Sequence, residues 1–247
     1  MAIAASDLKG YLSANMPEND TDTSGGAIDT AGIFEIIDIA ATDQVTVISD
    51  GADTRDVTIV GRDAAGGIVQ EVLTLNGASR VTGAQAFERI LKITLSASSG
   101  TRTVTVTRDD SPTFTVIAVL GPNITKARRL FYDSASESGA TVRYEKQFWK
   151  NEHGSLQLNN ATITLTADPS AKIEIGVAAS KGDTGSVTNR KTAPGGVTFV
   201  DDSVVQNVPT GALAAGETIG VWVKMSLAGG NAPVKSTFTT QLAGTSV

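Results

Sequence analysis

Apolar and polar residues alternate in short runs through much of this chain. QVTVIS (Gln44 to Ser49), DVTIVGRD (Asp56 to Asp63) and IVQEVLTLNG (Ile68 to Gly77) each place apolar side chains at about every second position. A period of two sends successive side chains to opposite faces of an extended backbone, so each run specifies a half-buried strand. Residues suited to tight turns separate the runs: DAAGG (Asp63 to Gly67) and Asn76-Gly77. After KITLSAS and Gly100, Val104 and Val106 alternate with Thr103, Thr105 and Thr107. A chain patterned this way buries its apolar faces by stacking sheets.

Between Gln44 and Val119 there is room for about six or seven strands, the size of a small immunoglobulin-like sandwich. Ala84 to Leu91 (AQAFERIL) reads as a helical turn or a strand, and Pro112 to Asn123 as either the last strand of this module or a return strand to its host. A second β-region follows. LQLNNATITLTADP reads as two strands joined at Asn159-Asn160, KIEIGVAAS places Ile173, Ile175 and Val177 on one face, and GVTFVDD, GETIGVWVKMSL and VKSTFTTQLAG add further strands. The expected fold is all-β: a jelly-roll or Ig-like β-sandwich main domain, with a second small β-sandwich inserted after an N-terminal arm. The boundaries read as 1–32 for the arm, 33–120 for the inserted Ig-like domain and 121–247 for the main domain, which packs with the arm. Ala2 to Ser13 reads as a short helix or strand. The polar run PENDTDTSGGA (Pro17 to Ala27) reads as an extended or flexible connection.

Composition narrows the function. The 247 residues contain no Cys and a single His, which excludes disulfides, thiolate metal sites and a Cys nucleophile. Net charge is −6, and Lys126, Arg128 and Arg129 form the one basic cluster. Phosphate neutralisation needs a basic face, so nucleic acid is not an expected partner. No apolar run reaches the roughly 18–20 residues that span a bilayer, and the start MAIAASDLKGYLS lacks the basic and long apolar regions of a secretion signal. Neither a membrane nor a cofactor is expected.

Each candidate for chemistry has a structural explanation. His153, in KNEHGS, has no GxSxG or other nucleophile signature to serve. Asp109-Asp110 and Asp201-Asp202 are adjacent pairs, which an extended backbone points apart, whereas glycosidic cleavage needs carboxylates facing each other across a cleft. Asp20 and Asp22 have the spacing of a calcium loop without its closing Glu. GDTGS and APGG are Gly-rich without the GK[ST] of a phosphate loop. Lys181-Gly182-Asp183 matches an integrin-binding tripeptide over three residues only. Phe148, Trp149 and Trp222 fall in expected strands, as core or subunit contacts rather than a sugar platform. The expected set of catalytic, cofactor-binding and metal-binding residues is empty, and the chain is expected not to be an enzyme.

The outer parts of the chain resemble a family of tailed-bacteriophage virion structural proteins. The resemblance is carried by AASDLKGYLSAN and SGGAI near the start, and by FWKNEHGSLQLNNATITL, IEIG, APGGVTF and GALAAGETIGVWVK later. In shorter members SGGAI passes almost directly into the segment that reads here ARRLFYDSASESGATVRYEKQFWKN, so this chain is expected to carry an insert of about 80–90 residues, the size of a small domain. The insert is itself similar to small β-domains common in phage structural proteins. The resemblance implies a virion component assembled in the host bacterial cytoplasm, most simply a capsid decoration (cement) protein bound to the major capsid protein lattice as a homo-oligomer, trimer or dimer. A neck, collar or tail (fibre-base) component is the alternative, and a carbohydrate-binding host-recognition module a weaker one. Residues 1–28 are expected to dock on a neighbouring subunit and to be dispensable for folding.

Overall fold

The computed structural model describes residues 2–98, 100–132, 137–168, 171–230 and 237–246. The fold is all-β, and its only helical elements among these residues are two three-residue turns. The chain divides into two compact units: a main unit, Met1–Asp29 with Asp133–Val247, and an inserted unit, Thr30–Tyr132.

In the main unit, β1 (Leu8–Asn15) and β2 (Ser24–Asp29) precede the insertion. The inserted unit holds β3 (Gly32–Ile33), β4 (Val45–Ser49), β5 (Asp56–Arg62), β6 (Ile68–Thr74), β7 (Val81–Thr82), β8 (Arg89–Leu95), β9 (Val104–Arg108), β10 (Val116–Leu120) and β11 (Lys126–Arg128). The main unit resumes with β12 (Thr141–Asn151), β13 (Leu158–Ala167), β14 (Ile173–Lys181), β15 (Ser186–Val187), β16 (Gln206–Asn207), β17 (Ala212–Leu213), β18 (Thr218–Leu227) and β19 (Thr239–Ser246).

The inserted unit is built from a five-stranded sheet, β3-β11-β8-β5-β6, and a four-stranded sheet, β10-β9-β4-β7. Their alternating apolar positions meet in one core that includes Val45, Val47, Val57, Ile59, Phe87 and Ile93. Each such side chain contributes about 1.5–3 kcal/mol on leaving water. On the other face of β4, Thr46 and Thr107 share a 2.6 Å hydroxyl contact, and Arg80 bonds both while its guanidinium lies 4.0 Å from the Phe114 ring centroid. β10 belongs to this unit, as does the segment after it. Lys126–Arg128 pairs with β8, and the Arg129 Nε donates to Ile90 O at 2.6 Å. The unit therefore runs past the boundary of 120 read from sequence and includes the ARRLFY segment that the resemblance assigned to the outer parts.

The main unit sets a six-stranded sheet, β14-β18-β12-β1-β2-β15, against a smaller one in which β13 pairs with β16, β17 and β19. β1 lies between β12 and β2. Residues expected to form an arm are thus an interior strand of the larger sheet, with Leu12 fully buried. The reason is legible in LKGYLSAN once its partner is known: Leu8, Gly10 and Leu12 oppose Asn151, Trp149 and Gln147. Leu158–Ala167 is one strand rather than two. Its register shifts between Asn159 and Thr162, where Asn160 takes φ +49°, so the Asn-Asn pair makes a bulge and not a turn. GVTFVDD forms no strand beyond a bridge from Val200 to Ile175. Ala84–Glu88 precedes β8 as a loop. Residues 133–136 of the expected Asp133–Gly139 loop, and 231–236 before β19, lie outside the described residues.

Removing residues 2–15 takes away an interior strand together with its backbone bonds to both neighbours. The truncated protein is expected to lose the cooperative thermal transition of the main unit, followed by near-ultraviolet circular dichroism; a transition at unchanged temperature would restore the arm reading.

Candidate functional site

The chemistry-bearing side chains of the main unit converge on β12. Its even and odd positions point to opposite faces of the sheet. On the odd face, Gln147 Nε2 donates to Thr240 Oγ1 of β19 at 2.9 Å, which identifies the side facing the second sheet. Val221, Val223 and Ile175 share that face by register and are fully buried. Among them sits Glu145, also fully buried, with Arg143 at 2% exposure two residues along.

These charges are met from loops. Asp20, in the PENDTDTSGGA run, accepts from Arg143 Nε at 2.7 Å and Nη2 at 2.8 Å, a two-pronged pair. Arg190, also at 2% exposure, reaches the same carboxylate through Nε at 3.0 Å and Nη2 at 2.6 Å, and approaches Glu145 at 3.4 Å. Lys191 closes the cluster on Asp20 at 3.1 Å and on Glu137 at 2.8 Å, and Glu137 also accepts from Arg143 at 2.6 Å. Three cations thus face three carboxylates. The bonds from Arg143, opposed by burial and reinforced by Arg190 and Lys191, hold Asp20 far below the usual carboxylate range. A carboxyl held there is ionised at neutral pH and has no proton to give, so it suits an anchor rather than a general acid. Beside this cluster β1 no longer pairs with β12, and a loop backbone and a β2 side chain take over: Tyr144 N–H donates to Arg190 O at 2.7 Å, and Ser24 Oγ at the start of β2 donates to Tyr144 O at 2.8 Å.

On the even face, Lys146 is fully buried. Its Nζ donates toward Gly26 O (3.1 Å), Asp183 O (3.0 Å), Gly185 O (3.2 Å) and Asp183 Oδ2 (2.5 Å). The rings of Phe148 and Trp222 lie 4.8 Å and 5.6 Å from it. Burial pulls the Lys146 ammonium below its ordinary value, although Asp183 opposes the shift. Burial would push Asp183 up, but the bonds from Lys146 and from Gly185 N–H outweigh it and hold the carboxyl low. Backbone without side chains makes the fit possible. A Cβ on Gly25 (φ +93°) would lie 2.6 Å from Trp222, and one on Gly220 would lie 2.6 Å from the Lys146 stem.

The residues singled out from sequence fall in separate places. Phe148 and Trp222 are core residues of this cradle, and Trp149 is half-buried. In Lys181-Gly182-Asp183, Lys181 pairs with Glu217 at 2.6 Å and Asp183 holds Lys146, so the tripeptide is spent on internal contacts. GDTGS contributes its carbonyls to that cradle. His153 Nδ1 accepts from Ser155 N–H (3.1 Å) and Leu156 N–H (2.9 Å), closing the turn after β12. Asp110 accepts from the backbone and hydroxyl of Thr115, and Asp201 from Asp202 N–H, which are turn roles. Asp22 accepts from the N–H groups of Glu18 and Asn19 and stands apart from Asp20 in function. In the inserted unit, burial brings Arg129 down to about 10 beside Asp38, 2.6 Å away. No group of three or more His, Asp or Glu is placed to hold a metal ion among the described residues, and no described helix is long and apolar enough to cross a membrane. The sequence singles out Asp20 only for its spacing from Asp22, and Glu145 and Lys146 not at all. The available signal was the charge-rich strand RYEKQ flanked by aromatic residues, a pattern that demands partners if the strand is interior.

Compared with protein-family models, with curated protein sequences and with solved structures, the chain gives no significant match in any of the three.

Asp20→Asn leaves Arg143 and Arg190 buried with one carboxylate fewer, and is expected to cost about 2–4 kcal/mol in urea unfolding at pH 7. A folded-state value depressed below that of the unfolded chain contributes stability that is complete above the unfolded value, ordinarily near 3.8, and that drains away as pH falls below it. Wild type should therefore lose stability below about pH 4 more steeply than Asp20→Asn; parallel curves would remove Asp20 from its assigned role. Lys146→Met strips three carbonyls of their donor and is expected to cost about 3 kcal/mol by the same measurement. A loss under about 0.5 kcal/mol, the range of ordinary surface changes, would show that water replaces the ammonium without penalty.

Proposed function

We propose that this chain is a structural component of a tailed-bacteriophage virion, a capsid decoration protein that binds the major capsid lattice, and that it acts by binding rather than catalysis. The observation that carries the reading is where the resembling segments lie. LKGYLSAN, SGGAI, FWKN, IEIG and GETIGVWVK supply β1, β2, β12, β14 and β18, five strands of one six-stranded sheet. The residues that interrupt the resemblance fall within a separate compact unit, Thr30–Tyr132, which also takes in the resembling segment ARRLFY at its end. A β-unit that accepts another whole unit between two of its strands carries two folded modules on one chain, a use that fits a repeated shell component.

The ionic cluster supports the same reading through stability. A virion protein has to hold its fold through assembly and outside the host, and here the loop between β1 and β2, β12 and the 183–191 segment are tied together by charge-assisted bonds.

Antibody raised against the chain and applied as immunogold to intact particles of the phage that encodes it tests this directly. Label over the whole head is the expected outcome. Label at one vertex or on the tail would replace decoration with a neck, collar or fibre-base role, and particles without label would overturn the virion assignment.

A further inference from the structure

We infer that β6 is a pairing edge for a second copy of this chain, joining two inserted units into one continuous sheet about a two-fold axis at Gln70. An open sheet edge offers unpaired N–H and C=O groups to any extended chain, and proteins ordinarily blunt such edges. Every other described edge is blunted. β3, β7, β15, β16 and β17 are two-residue strands. β10 is bulged and takes Ile37 N–H on Ile117 O, and β14 and β19 shift register against their partners. β6 alone is long and regular: seven residues, IVQEVLT, paired to β5 without a break from Arg62↔Ile68 to Asp56↔Thr74. It contains no Pro, Lys or Arg. Its outward positions hold Ile68 at 48% and Val72 at 52% exposure, large apolar groups left in water.

The occupant follows from the symmetry of that pattern. Ile68, Gln70 and Val72 alternate on one face, so an antiparallel copy centred on Gln70 sets Ile68 against the partner's Val72, and Val72 against the partner's Ile68. Both exposed apolar residues are covered at once, and each cross-strand pair is stabilising. Charge agrees with the same placement. Arg62 sits at one end of the β5–β6 ladder, its Nη1 on Gly66 O at 2.7 Å, and Asp56 sits at the other, its carboxylate on Thr74 Oγ1 at 2.7 Å. Antiparallel pairing brings each basic end beside the partner's acidic end. Glu71 does not oppose this, because its carboxylate already accepts from Ala84 and Gln85 N–H.

A contact of one strand is smaller than a standard interface, so the dimer is weak and covalent trapping is the suitable readout. The natural chain has no Cys, so a single introduced thiol reports alone. At the two-fold axis, the Cα atoms of paired Gln70 residues fall about 4.5–5.5 Å apart, within disulfide reach. Under mild oxidation of the full chain, Gln70→Cys is expected to form a disulfide dimer at least tenfold faster than Val72→Cys, whose two copies lie about 13 Å apart along the strands, or than Gln241→Cys on the β19 edge. An equimolar mixture of Ile68→Cys and Val72→Cys should trap heterodimer. In sedimentation velocity, Val72→Lys with an unchanged thermal transition should raise the dissociation constant at least about tenfold, because symmetry removes the apolar pair twice. Trapping of Gln70→Cys no faster than the controls would overturn the proposal. So would a dimer that Val72→Lys leaves intact, or a wild-type protein that stays monomeric at every concentration.

Discussion

An ionised side chain taken out of water costs several kcal/mol unless charge and donors meet it inside, and β12 removes Arg143, Glu145 and Lys146 from water together. That requirement organises the main unit. The partners lie far from β12 in sequence: Asp20 before the inserted unit, and Asp183, Gly185 and Arg190 37 to 45 residues beyond the side chains they meet. Meeting the charges of β12 therefore fixes the loop between β1 and β2 on one face and the segment after β14 on both. The segment after β14 also supplies a backbone partner for Tyr144 where β1 stops pairing, and the Ser24 hydroxyl of β2 supplies the other. The ionic contacts and the sheet edge are one construction, and neither is satisfied without the other.

Much of the architecture was legible in the chain. Period-two alternation identifies β4, β5 and β9 at nearly their observed bounds, because those strands carry one apolar and one polar face, and the Gly and Asn turns on either side delimit β6. The failures share a physical cause. β1 has an interior position, so its pattern, LKGYLSAN, is set by neighbours on both sides rather than by a half-solvated face. Asn159-Asn160 has turn chemistry, but a left-handed Asn serves a bulge as well as a hairpin, and only the pairing with β19 distinguishes them. Asp20 looked like a solvated loop residue since its partners are 123 and 170 positions away. Conversely, His153, Asp110 and Asp201 were legible as turn residues, because their partners are local.

The two units show different relations to water. The main unit hides its charges and blunts its sheet edges with bulges, bridges and short strands. The inserted unit keeps an ordinary apolar core but leaves β6 regular and partly apolar at its rim. The main unit holds its shape through an internal ionic junction, and the regular edge of the inserted unit is the surface proposed for association.

Native-state hydrogen exchange tests the central role of β12 most directly. If its buried charges lock the flanking loops, the amides of Gly26 and Tyr144, bonded to Gly185 O and Arg190 O, exchange only with global unfolding of the main unit, alongside Ile163 in β13. Exchange of those two amides through local opening, many times faster than Ile163, would show that the loops move independently of the charges and would contradict the account.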